Sequence, residues 1–349
     1  MRLYKDHLIL KGKNLKDALE LLNDMAPDSI LFVVDSEDKL IGTLTDGDVR
    51  RGLLNNFNLS SVIDDIIQPN PRFIRKGEND IQKIINYREK MFRILPVVDE
   101  NMRVVNVINF RTIKSYLPID AVIMAGGRGQ RLQPLTDSTP KPLLKVGNKA
   151  IMEHNLDRLA SYGIDDFWVT VNYLGKQIES YFGNGVERNI QIQYISEAKP
   201  LGTIGAVSQI NNFEHDYILV TNSDLLTTID YENFFLHFIK QKADLSVLSI
   251  PYQVNIPYAV LETKNGNITS LKEKPTYNYF SNGGVYLLKK EVLKYIPKNI
   301  FYNTTDLIEL LISKNYKVVS YAFSGYWLDV GKHEDFEKAQ RDINNFNFL

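Results

Sequence analysis

Residues 121–147, AVIMAGGRGQRLQPLTDSTPKPLLKVG, carry the residue types and spacing that chemistry on a polyphosphate needs. An apolar run, Ala121 to Met124, breaks into a glycine-rich loop, and Arg128, Arg131 and Lys141 follow. A strand feeding such a loop leaves backbone N–H groups and positive charge where a nucleoside triphosphate can sit. On its own a GxG after a strand also suits a dinucleotide site or an ordinary tight turn. A dinucleotide site, however, wants the glycines to open directly into a helix, with an acidic residue about 20 positions later. Here Pro134, Pro140 and Pro142 forbid an immediate long helix, and Lys141 projects from a backbone stiffened on both sides. A dehydrogenase is therefore the weaker reading.

The elements that must position these residues alternate from Ala121 onward. Strand-like runs (AVIM, FWVTVNY, IQIQYI, YILVTNSD, LSVLSI, GGVYLL, KVVSYAF) are separated by helical stretches such as IMEHNLDRLASYG and TTDLIELLISK. Gly163 reads as the C-cap of the first. Alternation of this kind predicts an α/β, Rossmann-like, mixed but mostly parallel sheet with helices on both faces. Ligands then bind beyond the carboxyl ends of the strands, where the glycine loop and the Asn222-Ser223-Asp224 turn both fall. Asn265-Gly266, between VLETK and NITSL, predicts a hairpin.

Composition narrows the function classes. The 349 residues carry a formal net charge of −1, which argues against nucleic acid or an anionic membrane as the main partner. With no cysteine, disulfides, thiolate catalysis and cysteine-ligated metal are excluded. The N-terminus is charged, without an apolar core of signal-peptide length, and no segment approaches a membrane span, so a cytoplasmic protein is expected.

GGRGQRLQPLTDSTPKPLL resembles the signature of sugar-1-phosphate nucleotidyltransferases, and four more motifs recur in that family's order: EAKPLGTIGAV (197–207), NSD (222–224), EKP (273–275) with NGGVYLL (282–288), and WLDVG (327–331). The resemblance covers 119–345. It implies a GT-A-like nucleotidyltransferase domain over 119–349 that joins a nucleoside triphosphate to a sugar 1-phosphate and releases pyrophosphate. The nucleophile is already an anion near neutrality, since the second pKa of a phosphate monoester is about 6, so no general base is required. By the same resemblance the backbone of Ala125, Gly126, Gly127 and Gly202 holds the nucleotide, while Arg131 and Lys141 neutralise the triphosphate. Asp224 and Asp329 would hold Mg²⁺. Lys274 would touch the sugar phosphate, and Ala259, Glu273 and Asn282 the sugar. Without that context, an aspartate at a strand end is most often a turn or cap residue.

Two departures from the family pattern matter for specificity. The loop reads GQR where many relatives read GTR, and Tyr258-Ala259 stands where Tyr-Gly is common. Glu197 occupies a position that is often glutamine in thymidylyl- and uridylyl-transferring relatives. A carboxylate only accepts hydrogen bonds, and guanine offers two adjacent donors where uracil offers one donor flanked by acceptors. GTP is the expected substrate, unless Glu197 faces solvent and backbone groups choose the base.

The first 116 residues read as two related halves, about 1–58 and 59–116, displaced by 64 or 65 positions. Each half predicts a turn, a helix, a strand ending in Val-Val-Asp, a second strand and a closing helix. GTLTDGDVRRGLL resembles the hallmark of cystathionine-β-synthase (CBS) domains, and the repeat fits a tandem α+β CBS module. That resemblance places Thr45 and Asp48 on the ribose and phosphate of an adenine nucleotide; the second half has Asn109 and Thr112 instead. A ligand-free dimerisation platform is the equal alternative, and a homo-oligomer is expected. Nucleotidyltransferases with an N-terminal CBS pair resemble those of bacterial surface-sugar loci, in particular glucosamine-1-phosphate guanylyltransferases that make GDP-glucosamine for legionaminic acid synthesis. Mannose 1-phosphate and a heptose 1-phosphate stay open as acceptors, as does a catalytically inactive sensor of nucleotide sugars. The closing HEDFEKAQRDINNF segment predicts a helix used for packing or dimer contact.

Overall fold

In the computed structural model, which describes residues 3–78 and 80–345, the two N-terminal halves fold on one plan. Strand Leu8–Leu10 runs parallel to Ile30–Val34, which pairs antiparallel with Leu40–Thr45. Helix Leu15–Asp24 links the first two, started by Asn14, whose side chain accepts from the Asp17 amide. In the second half Ile74–Arg75, Ile94–Val98 and Val104–Asn109 repeat the arrangement, with helix Ile81–Glu89 capped by Asp80. The antiparallel registers coincide after a shift of 64, Thr45 facing Ile30 as Asn109 faces Ile94, whereas the first strand is displaced by one residue more, Ile9 facing Val33 as Ile74 faces Val97. Even the register irregularity recurs, between Val33 and Val34 and between Val97 and Val98.

The halves meet through equivalent positions. The Leu40 amide donates to Met102 O at 2.9 Å and the Val104 amide to Asp38 O at 3.0 Å, the same bond made twice about a pseudo-twofold axis. Phe32, Val34, Leu40, Ile94, Val98 and Val104 fill the space between them.

One expected element is missing. The first half closes with helix Asp46–Leu54, but the second makes only a single turn after Asn109, in which the Thr112 and Ile113 amides bond to Asn109 O. Too few residues remain before Pro118 to repay helix nucleation, and proline bars its continuation.

Chain contacts divide the molecule into two compact units: 1–120 with 159–167 and 182–193, and 121–158 with 168–181 and 194–349. The two short inserts in the first unit are invisible to a reading by chain order. From residue 119 on, a seven-stranded, mostly parallel sheet runs in the order Gln191–Ser196, Asp166–Val171, Ile119–Met124, Tyr217–Asn222, Thr276–Lys289, Leu245–Asn255, Val318–Ala322. Thr276–Lys289 is antiparallel to both neighbours. Val122, Ile218, Val220, Leu245 and Leu288 on the strands pack with Ile204, Val207, Leu307 and Leu311 in one core. That rigid floor is what carries the loops of the site.

The Asn265-Gly266 hairpin forms, joining Val260–Lys264 to Asn267–Lys272, with φ of 51° and 82° at the two turn residues, the left-handed pair such turns demand. The last helix, His333–Asp342, packs Ala339 and Phe336 against Leu328 and Val330. No helix among the described residues is long and apolar enough to cross a membrane.

Candidate active site

Strand Ile119–Met124 ends where the glycine loop begins. The Ala125 amide still bonds to Thr170 O of the neighbouring strand, but the Gly126 and Gly127 amides donate to no group among the described residues. Gly129 sits at φ +63°, and a Cβ there would lie 3.0 Å from Thr136 and 3.1 Å from the Lys141 stem. The loop therefore packs directly on Lys141. Thr136 Oγ1 donates to Gly129 O and ties the loop down. Arg131 follows on the short 3₁₀ turn Gln130–Leu132, exposed, with its guanidinium about 3.5 Å from where a Gly331 side chain would begin. Lys141 opens a second 3₁₀ turn, Lys141–Leu143, between its two prolines, and is buried.

The two expected metal carboxylates come together through a two-stranded ribbon. Leu225–Thr227 pairs antiparallel with Trp327–Asp329, and the register sets Leu225 opposite Asp329. A further bond, Val330 N to Asp224 O at 3.0 Å, holds Asp224 at the end of the same ribbon. Ser223 N reaches Met124 O at 3.3 Å, so the NSD turn is fastened to the strand that feeds the glycine loop. The Lys141 ammonium donates to Asp224 Oδ2 and stands 3.8 Å from Asp329 Oδ1. Asp224 Oδ1 and Asp329 Oδ1 are both buried and accept no hydrogen bond. Burial first, and the Asp224 charge second, push the Asp329 carboxyl above the usual carboxylate range against the pull of Lys141 and Arg131. Two close carboxylates, each with an unused buried oxygen, are a donor set that a hard divalent cation satisfies.

Glu197 is buried and does not face solvent. One of its oxygens accepts from the Leu201 amide at 3.0 Å, the Thr170 hydroxyl donates to the carboxylate, and the other oxygen lies 2.7 Å from the position of a Gly126 Cβ. Burial raises its pKa. The side chain thus touches the glycine loop, but part of its acceptor capacity is spent on the chain itself. The bidentate grip on guanine is not preformed. Gly202 has φ +80°, and a Cβ there would meet Tyr302 O at 2.5 Å, so a close backbone approach demands glycine at this position whether or not a nucleotide binds.

None of the expected sugar contacts bonds to this cluster among the described residues. Ala259, Glu273 and Lys274 are exposed, the last two on the bend between the hairpin and strand Thr276–Lys289, with Lys274 at φ +42°. No ion pair or hydrogen bond among the described residues ties Glu273 or Lys274 to the carboxylate pair. Asn282 is occupied internally: its Nδ2 donates to the Tyr286 hydroxyl and its Oδ1 accepts from Gly284 N. Two residues absent from the sequence reading help build the site. Thr170 braces Glu197, and Trp327 Nε1 donates to Gly283 O at 2.9 Å, joining the WLDVG and NGGVYLL motifs. Trp327 was findable as part of its motif; nothing marked Thr170 within a buried strand.

In the first unit Thr45 and Asp48 form a capping box at the start of helix Asp46–Leu54. Asp48 Oδ2 accepts from the Thr45 amide and hydroxyl, and Oδ1 from Arg51 and Gln68. All of its acceptor sites are used within the chain. A cavity of about 240 Å³ lies instead beside Asn109 and Thr112 of the second half, with Asp28 and Tyr116 in its wall.

Comparison with known proteins places the chain in a family. The nucleotidyl transferase family model matches residues 120–345, and the CBS domain model matches 9–55. D-glycero-α-D-manno-heptose 1-phosphate guanylyltransferase of Aneurinibacillus thermoaerophilus is 30% identical over 232 residues, 65% of this chain and all of that protein. Mannose-1-phosphate guanylyltransferase of Mycobacterium tuberculosis is 30% identical, and a UTP–glucose-1-phosphate uridylyltransferase of Synechocystis is 31% identical. Each match covers 64% of this chain, and 64% and 63% of those proteins respectively. Among solved structures, a Bacillus anthracis protein provisionally assigned as a glucose-1-phosphate thymidylyltransferase, in complex with sucrose, superposes with a TM-score of 0.54 at 25% identity, over 66% of this chain and 97% of that one. The chain belongs to the nucleotidyl transferase family, among the sugar-1-phosphate nucleotidyltransferases, and carries a CBS domain at its N-terminal end.

Proposed function

We propose that this protein transfers GMP from GTP to a sugar 1-phosphate. An oxygen of the sugar phosphate bonds to the α-phosphorus of the nucleotide, the α–β bridging bond breaks, and pyrophosphate leaves. One observation carries the reading: Asp224 and Asp329, 105 positions apart in the chain, meet on one ribbon with Lys141 between them and Arg131 alongside.

The chain's own groups supply positioning and charge. The free Gly126 and Gly127 amides face the phosphates, and Arg131 and Lys141 offset the charge that builds on the departing pyrophosphate. Asp224 and Asp329 would hold Mg²⁺, which polarises the α-phosphate and screens the anionic nucleophile from it. No side chain needs to move a proton. Glu197 beside Gly126 supports guanine over uracil, because a carboxylate has nothing to offer the flanking carbonyls of uracil except repulsion. Its present bonds to Leu201 and Thr170 leave it to accept one guanine donor, or two after turning outward. Glucosamine 1-phosphate is the acceptor we favour, since the exposed Glu273 suits a 2-ammonium group; the product would be GDP-glucosamine, for surface-glycan or nonulosonic acid synthesis. The heptose and mannose enzymes among the relatives make those two sugar phosphates the alternatives. An inactive sensor would have no use for two carboxylates kept at one point.

The test is pyrophosphate release from a matrix of GTP, CTP, UTP, dTTP and ATP against glucosamine, mannose, heptose and glucose 1-phosphates. GTP with glucosamine 1-phosphate should turn over fastest, and Asp224→Asn should cut that rate roughly a hundredfold or more with the fold intact. Preference for UTP would overturn the base assignment, and silence across the whole matrix would favour the sensor.

A further inference from the structure

We infer that Lys141 is the resident counter-ion of the carboxylate pair, holding the seat between Asp224 and Asp329 and leaving it only when a polyphosphate offers its ammonium another anion. The inference rests on the proposed metal role of the two aspartates and adds an order to it: the free protein resists a divalent cation, and accepts one together with nucleotide.

The geometry supports this in three ways. First, Lys141 is the cation between the two carboxylates, bonded to Asp224 Oδ2 and 3.8 Å from Asp329 Oδ1. An ammonium and a divalent cation cannot share that pair, because both would sit within about 4 Å of each other, where like charges repel strongly. Second, the ammonium satisfies only part of the donor set. The Oδ1 atoms of both aspartates stay buried without a hydrogen bond, so the seat is kept in shape but remains under-filled. Third, the lysine has a short way to go. Its backbone is pinned by Pro140 and Pro142, and its stem packs against Gly129 of the loop whose neighbouring amides, at Gly126 and Gly127, are free. Rotation of the side chain alone takes the ammonium from the carboxylates toward an anion lying on that loop. Arg131, exposed beside Gly331, meets the same anion without first giving up an ion pair of its own among the described residues. The two cations therefore have different parts: Arg131 receives the polyphosphate, and Lys141 exchanges one set of oxygens for another.

The experiment is a titration of the full-length protein with Mn²⁺ in the absence of nucleotide, with free ion followed by electron paramagnetic resonance. Lys141→Met keeps most of the buried stem and removes the charge; it should bind Mn²⁺ at least tenfold more tightly than wild type. Lys141→Gln, shorter but still polar, should do the same, and decides the matter should the methionine variant fail to fold by circular dichroism. A folded variant that binds Mn²⁺ no more tightly than wild type overturns the inference. Adding Asp224→Asn to Lys141→Met separates this failure from that of the proposed function. Loss of the gained affinity places the ion on the aspartates, whereas unchanged affinity means that the metal-pair reading itself is wrong.

Discussion

Asp329 illustrates how a functional residue weighs on the fold that holds it. Its carboxyl titrates above the ordinary range because burial and the neighbouring Asp224 charge disfavour ionisation. The folded state therefore binds this proton more readily than the unfolded chain does. The burden on stability is fully present above the raised pKa and disappears as pH falls below the unfolded value near 3.8. Asp329→Asn should accordingly raise the thermal midpoint of metal-free protein at pH 7, with the gap to wild type closing as pH falls toward 4, while turnover is lost. A midpoint below wild type at pH 7 would show that the ion pair with Lys141 outweighs the repulsion. From sequence, Asp224, Asp329, Arg131 and Lys141 were all visible as motif members. What no motif disclosed is that Lys141 contacts both aspartates, or that Glu197 is bonded to Leu201 and Thr170. Apart from Glu197 with Leu201, these are contacts between residues 27 to 188 positions apart, and local pattern carries no record of them.

At the scale of elements, strand and helix positions followed from hydrophobic period and from Gly and Asn punctuation. The buried run Asp166–Val171 and the Asn265-Gly266 hairpin formed where those signals placed them. The closing helix of the second N-terminal half did not, because a pattern copied from the first half ignored how little chain precedes Pro118. The segment around Gly202 shows a different kind of constraint. Its amides and carbonyls are stitched to Tyr302 by bonds from Ile204 N, Gly205 N and Tyr302 N, and the left-handed glycine lets the two backbones approach. Gly202→Ala should cost about 1–3 kcal/mol of unfolding free energy in urea denaturation, since the added methyl meets a carbonyl at 2.5 Å in a disfavoured φ region. A loss under a few tenths would mean that the 201–205 segment yields easily and is not a rigid wall of the site.

For the whole molecule, the N-terminal halves earn their stability from each other. Phe32 is almost fully buried in the cluster shared between them, so Phe32→Ala should remove about 3–5 kcal/mol from the unfolding of that unit, read by urea denaturation. A cost below about 1 kcal/mol would argue that each half is stable alone. What the sequence by itself determined here is chemical and local: which residues could meet a triphosphate, which segments become strands and helices, and that the half at about 1–58 has an echo 64 or 65 positions later. Only the tertiary structure decided which of those residues touch. Antiparallel pairing of Leu225–Thr227 with Trp327–Asp329 brings two carboxylates to one point, whereas Asp48 turns inward to cap its own helix. The physical reason is that a motif specifies the groups available for bonding, while burial and strand register determine which of those groups remain unbonded, and an unbonded buried group is what can receive a ligand.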